Sequence, residues 1–213
     1  MSDRASILNR IQNALRTPAA RPPEPSPKPV FPPIAPTDLV AHLERELLAL
    51  KADFHFSSNW NDARQWLKQI ADQHELRRVV TSPEMDAVEA GRSLGARTLT
   101  GDGDCGRHLA DLDLGITTCD CAVARTGSVV LTPQSGFGRA LSVLPPAHLV
   151  VARKSQVVTD LSDAYKLLQA RHGRNWPSMI TFITGPSRTA DIEKILVLGA
   201  HGPKKLFVLL LDF

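Results

Sequence analysis

The stretch Thr184-Gly185-Pro186-Ser187-Arg188-Thr189-Ala190-Asp191-Ile192-Glu193 holds the residue types of an anion site directly after an apolar run, Met179 to Ile183. Gly185 gives the backbone room to turn, and Pro186 has its φ set for the first position of a helix. Ser187 or Thr189 can cap that helix, while Asp191 and Glu193 fall in its first turn, where the helix dipole favours negative charge. This pattern predicts a helix over 189–198. Its unpaired amides, with Arg188 beside them, could hold a phosphate or a carboxylate. The plainer reading is a capped helix after a strand, and the two acidic residues weigh against a strongly anionic ligand.

A second candidate is the loop Thr132-Pro133-Gln134-Ser135-Gly136-Phe137-Gly138-Arg139, which follows another apolar run. Gly138 permits close backbone approach, and Arg139 can clasp a carboxylate or phosphate through two parallel hydrogen bonds. His148 and His201 stand beside prolines, and an imidazole there can donate, accept or transfer a proton near neutral pH. A satisfied structural histidine is the plainer alternative for each. Cys119-Asp120-Cys121, read as strand, places both sulfurs on one face. Two thiols do not complete a zinc or iron–sulfur site, so packing cysteines are expected and no metal is assigned. Asp102 and Asp104 lack the further oxygen ligands of a calcium loop and read as a turn.

The elements needed to position these groups follow a βαβα rhythm. A helix is expected over 37–51, a strand near Phe54–Phe56, and a helix opened by Asn59 or Asn61 that runs through Trp66, Leu67 and Ile70. A strand over 78–81 then leads through Ser82-Pro83-Glu84 into a helix ending near Gly95. Residues 115–151 read as closely spaced strands with a hairpin at Arg125-Thr126-Gly127. A helix at 160–171, the strand at 179–183, the helix at 189–198 and a strand at 206–211 complete the chain. The expected product is an α/β fold with a three-layer, mainly parallel twisted sheet flanked by helices, and ligands at the carboxyl ends of its strands.

Length and charge bound the rest. The 213 residues, 43% of them hydrophobic, suit one α/β domain with a tail. No apolar run approaches the roughly 20 residues that span a bilayer, and the start of the chain lacks a signal-peptide core, so no membrane span and no export are expected. Three cysteines give no disulfide framework. The net charge of +3 belongs to residues 1–30, where five basic residues face two acidic ones; the remaining 20 basic and 20 acidic residues cancel. No basic stripe with interleaved aromatics occurs, so no nucleic-acid partner is expected. Ile7, Leu8, Ile11, Ala14 and Leu15 recur at helical spacing. Nine prolines between Thr17 and Pro36 then force an extended tether. The expected organisation is an amphipathic helical arm over 1–16, a proline-rich tether over 17–36 and one domain over 37–213.

Five motifs in order extend this reading: Gly115-Ile116-Thr117, Ala124-Arg125-Thr126-Gly127-Ser128, Gly138-Arg139, Leu144-Pro145-Pro146-Ala147-His148, and the Thr184–Glu193 stretch. Together they resemble the LUD-domain family of the lactate-utilisation C type. The resemblance implies a fold similar to the NagB/RpiA/CoA-transferase-like superfamily and a cytoplasmic bacterial protein acting in the oxidation of L-lactate to pyruvate. It also implies two partners, an iron–sulfur LUD-containing subunit and a cysteine-rich oxidoreductase-type subunit. The hairpin motif adds Thr126 and Gly127 to the ligand candidates. Arg125 departs from the pattern, standing where the family usually carries Glu, and a guanidinium cannot serve as a carboxylate nucleophile or base.

No cysteine cluster, dinucleotide-binding glycine loop or haem motif occurs, so no intrinsic cofactor is expected and redox chemistry falls to a partner. Three readings remain open at this point. The chain is a lactate-utilisation subunit with a pocket for a small organic acid or phosphate-bearing ligand, a non-catalytic assembly subunit that docks iron–sulfur partners, or a small-molecule transferase or isomerase-like enzyme. Self-association into a homo-oligomer is compatible with each.

Overall fold

A computed structural model describes residues 3–16, 22, 31–98, 109–137, 140–189, 197–199 and 201–213. The chain divides into two units, residues 1–33 and 34–213. The first contains helix α1, Asp3–Leu15, with the apolar stripe that its spacing predicts.

The second unit opens with a 3₁₀ turn, Pro36–Asp38, that runs into α2, Leu39–Ala49. Leu43 and Leu47 are fully buried one turn apart on its inner face. Strand β1, Asp53–Ser57, precedes α3, Trp60–Gln73, which the Asn59 side chain caps by accepting the Asp62 amide at 2.9 Å. Strand β2, Val79–Thr81, leads into α4, Met85–Arg92, and the short strand β3, Arg97–Thr98, follows. Next come β4, Leu114–Thr118, and the hairpin of β5, Cys121–Val123, with β6, Ser128–Leu131. Then follow β7, Ala147–Arg153, β8, Val157–Val158, α5, Leu161–His172, and β9, Thr181–Ile183. The chain closes with β10, Arg188–Thr189, β11, Val197–Leu198, and β12, Lys205–Leu211.

Six strands form the central sheet in the order β1-β12-β7-β4-β2-β3, and every neighbouring pair is parallel. This is the mainly parallel sheet flanked by helices that the βαβα rhythm calls for. On one face, Ala63, Leu67 and Ile70 of α3 and Ala87 and Ala90 of α4 pack on Ile116, Leu149 and Leu209. On the other, Leu43 and Leu47 of α2 meet Val150, Val208 and Leu210. Alternate residues of β7 and β12 thus serve opposite cores, which explains why both strands read as unbroken apolar runs.

A second sheet, in the order β8-β5-β6-β9, lies beside α2. Ala122, Val129 and Leu131 turn toward the α2 core, while Cys121, Val123 and Val130 turn away to Ala164 and Leu168 of α5. The chain passes between sheets at Cys119-Asp120, after β4 ends and before β5 begins. The two cysteines are therefore not on one strand face: Cys119 belongs to the core beneath α2 and Cys121 to the core beneath α5. Both are buried free thiols. Burial pushes the Cys119 thiol well up and that of Cys121 up to about 12, so both stay protonated.

The expected helix over 189–198 begins and ends as strand instead. Arg188 and Thr189 pair antiparallel with Leu198 and Val197, and residues 190–196 lie outside the described ones. The β-branched Thr189 and Val197 suit extended backbone, and tertiary pairing outweighs the local capping signal.

The β5–β6 hairpin turns through a 3₁₀ segment, Ala124–Thr126, to Gly127 at φ +60°. A Cβ on Gly127 would lie 3.0 Å from the Glu46 carbonyl carbon and the Leu47 amide of α2. This glycine lets the turn sit against the helix backbone. Gly127→Ala is expected to lower stability by about 2 to 4 kcal/mol, from the left-handed backbone and the clash together. Urea unfolding checks this, and a change under about 0.5 kcal/mol, typical of a neutral surface change, would contradict it.

Candidate functional site

Parallel strands buried on both faces are normally apolar throughout, so a polar pair inside one marks a place where the fold does something else. His148, the second residue of β7, is completely buried and lies on the α2 side of the central sheet. Its Nε2 is 2.9 Å from Oγ1 of Thr117, also completely buried, on the adjacent strand β4. Nδ1 of the same ring is buried without a hydrogen-bond partner among the described residues. Burial holds the imidazole pKa down to about 3, so the ring is neutral at physiological pH.

His148 lines a cavity of about 210 Å³. One wall is the end of β9 and the turn after it, from Thr181 through Phe182, Ile183 and Thr184 to Ser187. The opposite wall has His148 and Leu206 from the central sheet, with Ser142, Val143 and Pro203 from adjoining loops. None of the lining residues among the described ones carries a formal charge, given a neutral His148. The cavity offers hydroxyls and one imidazole edge against apolar walls.

The cavity lies at the amino ends of β7 and β12, since His148 and Leu206 are each the second residue of their strand. The expectation of a site at the carboxyl ends does not apply to it. The reason is the second sheet, whose strand β9 delivers Thr184 and Gly185 to the opposite end of the central sheet. Gly185 has φ +86°, and a Cβ there would sit 3.1 Å from the Leu50 carbonyl oxygen at the end of α2. The chain turns sharply at this point because the residue has no side chain.

Among the sequence candidates, His148, Gly185 and Ser187 meet on the cavity. Thr126 is linked to it through hydroxyls: Thr126 Oγ1 is 2.7 Å from Ser128 Oγ, which is 2.8 Å from Thr184 Oγ1. Gly127 instead packs on α2. His201 is exposed and does not line the cavity. Gly138 and Arg139, like Asp191, Glu193, Cys105, Asp102 and Asp104, lie outside the described residues.

The helix-start explanation of Ser187 and Arg188 does not hold. The Ser187 amide donates to the Pro203 carbonyl at 2.9 Å, and its carbonyl accepts from the Gly199 amide at 2.9 Å. The Ser187 amide is therefore no orphan donor waiting for an anion. Thr189 is paired within the ribbon and does not line the cavity. Arg188 keeps a different role: it is exposed, and its Nη2 lies 3.5 Å from the Cβ position of Gly185, a cavity residue. Among the described residues it has no ion pair.

Arg125 takes a structural place. Its Nε donates to Asp160 Oδ2 at 2.7 Å, tying the hairpin turn to the residue that caps α5. Sequence reasoning missed Thr117 as a partner of His148, and missed the Ser142 and Phe182 walls. For Thr117 the available signal was a polar residue within a largely apolar strand, a signal that marks neither Ser142, on a loop, nor the apolar Phe182.

A histidine held neutral in the fold but free to protonate when unfolded makes stability rise with pH between the two pKa values. The unfolded chain binds the proton below about 6.5 and the folded one only near 3, so stability falls as pH drops through this window and is level above it. Replacing His148 by Phe should flatten the slope between about pH 5 and 6.5, above the range where ordinary carboxylates titrate. Urea midpoints across that range check this, and an unchanged slope would contradict a buried neutral ring.

The LUD domain family model matches residues 40–211. The chain is 41% identical over 102 residues to "Lactate utilization protein C 1" of Bacillus mycoides, which covers 47% of this chain and 44% of that one. It is 26% identical over 190 residues to "Lactate utilization protein C" of Oceanobacillus iheyensis, covering 82% and 80% of the two chains. The first match thus spans less than half of its relative's length, and the second most of it. The crystal structure of a DUF162 family protein from Deinococcus radiodurans superposes with a TM-score of 0.63 at 25% identity, over 84% of this chain and 99% of that one. Among the described residues, no helix is long and apolar enough to cross a membrane. The matched region takes in the central sheet, the second sheet and every wall of the cavity, and the chain belongs to the LUD domain family.

Proposed function

We infer that this protein is a subunit of an L-lactate utilisation system and that its cavity binds a small organic acid. The observation that carries the reading is the pairing of an uncharged, half-apolar cavity with a cation beside it that has no ion pair among the described residues. Arg188 meets the carboxylate at Gly185, while the hydroxyls and His148 take the remainder of the molecule. Size supports the class. A cavity of about 150 Å³ admits benzene, so 210 Å³ suits an acid of a few carbons and is too small to enclose a nucleotide. The names of the relatives supply lactate utilisation as the setting.

Electron transfer falls to the partners in this scheme, an iron–sulfur LUD-containing subunit and a cysteine-rich oxidoreductase-type subunit in the cytoplasm. The buried, protonated Cys119 and Cys121 are unsuited to relay electrons or bind a metal. Arg125 in place of the family's Glu removes a carboxylate nucleophile at the hairpin, which speaks against a CoA-transferase step there.

Calorimetry of the full chain with L-lactate tests the site. Saturable binding is expected, and Arg188→Ala should weaken it by about 1.5 kcal/mol, the low end for a hydrogen bond to a charged group because Arg188 is exposed. Equal affinity in the variant would remove Arg188 from the site, and absence of binding by the wild type would sink the small-acid reading.

A further inference from the structure

Among the described residues, every polar side chain on the cavity wall except one has its needs met within the protein or reaches solvent. The exception is Nδ1 of His148, buried and unpartnered in a residue with no exposed surface. Four other buried side-chain atoms lack partners among the described residues, on Ser82, Glu84, Thr132 and His172, and none of those residues lines this cavity. An orphan of this kind is costly to keep, and a ligand atom that meets it recovers the cost.

Nδ1 has no accessible surface of its own, so a ligand atom reaches it through a small shift of the cavity wall around a ring whose other nitrogen is already engaged. Thr117 holds Nε2 from the adjacent strand, and Leu149 and Ala147 on either side of His148 face the opposite core. The neutral ring carries one N–H and one bare nitrogen, so Nδ1 takes whichever role Nε2 leaves to it. A hydroxyl satisfies either role, because it both donates and accepts. Ile183 and Leu206 line the same cavity and suit the short alkyl part of a ligand, whereas the Phe182 ring packs on Tyr165 of α5.

We propose that His148 is the specificity-determining residue of the cavity, and that its Nδ1 reads the hydroxyl at carbon 2 of a short-chain 2-hydroxy acid, with Thr117 as the residue that positions the ring. This rests on the small-acid reading given above. It goes further by separating the two ends of the ligand: Arg188 recognises any carboxylate, whereas His148 distinguishes a 2-hydroxy acid from the plain acid of the same size. A plain acid leaves the buried nitrogen unpaired, and that penalty sets the discrimination.

Calorimetry of the full-length protein with L-lactate and with propionate, which lacks only the hydroxyl, measures this directly. L-lactate should bind at least about tenfold more tightly, the ratio that corresponds to one unsatisfied buried polar group. In His148→Phe the advantage of L-lactate over propionate should disappear. Nitrogen-15 NMR of the wild-type ring gives a second readout, independent of whether that variant folds: the Nδ1 resonance should shift on adding L-lactate and stay in place with propionate. Equal affinities for the two acids, or an Nδ1 resonance indifferent to L-lactate, would overturn the role of His148 while leaving the small-acid reading intact. If neither acid binds, both fall.

Discussion

A buried carboxylate is tolerated only when its charge and lone pairs are fully engaged, because several kcal/mol of desolvation must be offset. Asp120, 2% exposed, is such a group, and it sits where the chain leaves the central sheet for the second one. Its Oδ2 accepts from the Thr132 amide at 2.8 Å and from Ser135 Oγ at 2.6 Å, and its Oδ1 forms an ion pair with Arg171 of α5. Its own amide donates to the Val130 carbonyl at 2.8 Å. One residue therefore ties together the crossing point, strand β6, the loop after it and the outer helix. The Ser135 hydroxyl and the Thr132 amide, from residues that in sequence read as parts of a ligand loop, are committed to this carboxylate.

That fixation has a consequence at the other end of the second sheet. With β6 held at Asp120, its pairing with β9 fixes Thr181–Ile183, and the turn at Gly185 is delivered to the amino ends of β7 and β12. The hydroxyl chain Thr126–Ser128–Thr184 then joins the hairpin turn to the cavity wall. The cavity is thus a by-product of two sheets meeting across α2, and its polarity comes from His148 on the central sheet and from hydroxyls on β9, the turn after it and an adjoining loop. Formal charge stays outside, on Arg188, where water lowers the cost of keeping it. Among the described residues, the groups that line the cavity are neutral.

The alternating pattern made most of this framework legible from sequence. Apolar runs at β7 and β12 and stripes at α2, α3 and α5 are strong signals, since burial sets them residue by residue. The Asn59 cap and the Arg125–Gly127 hairpin carry local chemistry that needs no tertiary information. The stretch after Gly185 misled because Pro186, Ser187, Asp191 and Glu193 satisfy local helix-start rules, while the pairing of Arg188 with Leu198 is a tertiary event that local rules do not contain. Cys119 and Cys121 misled for a similar reason: a period-of-two argument assumes one continuous strand, and the chain changes sheets between them. His148 and Ser187 were visible as candidates. Their meeting place was not, because it depends on which end of the central sheet the second sheet reaches.

Occupancy of the cavity between the sheets by a small acid is tested most directly by a crystal structure of the protein grown with L-lactate. Ligand density is predicted between His148 and Gly185, with the carboxylate toward Arg188 and an oxygen within hydrogen-bond distance of Nδ1. Density at the carboxyl ends of β2 and β4, with this cavity holding only solvent, would contradict the assignment.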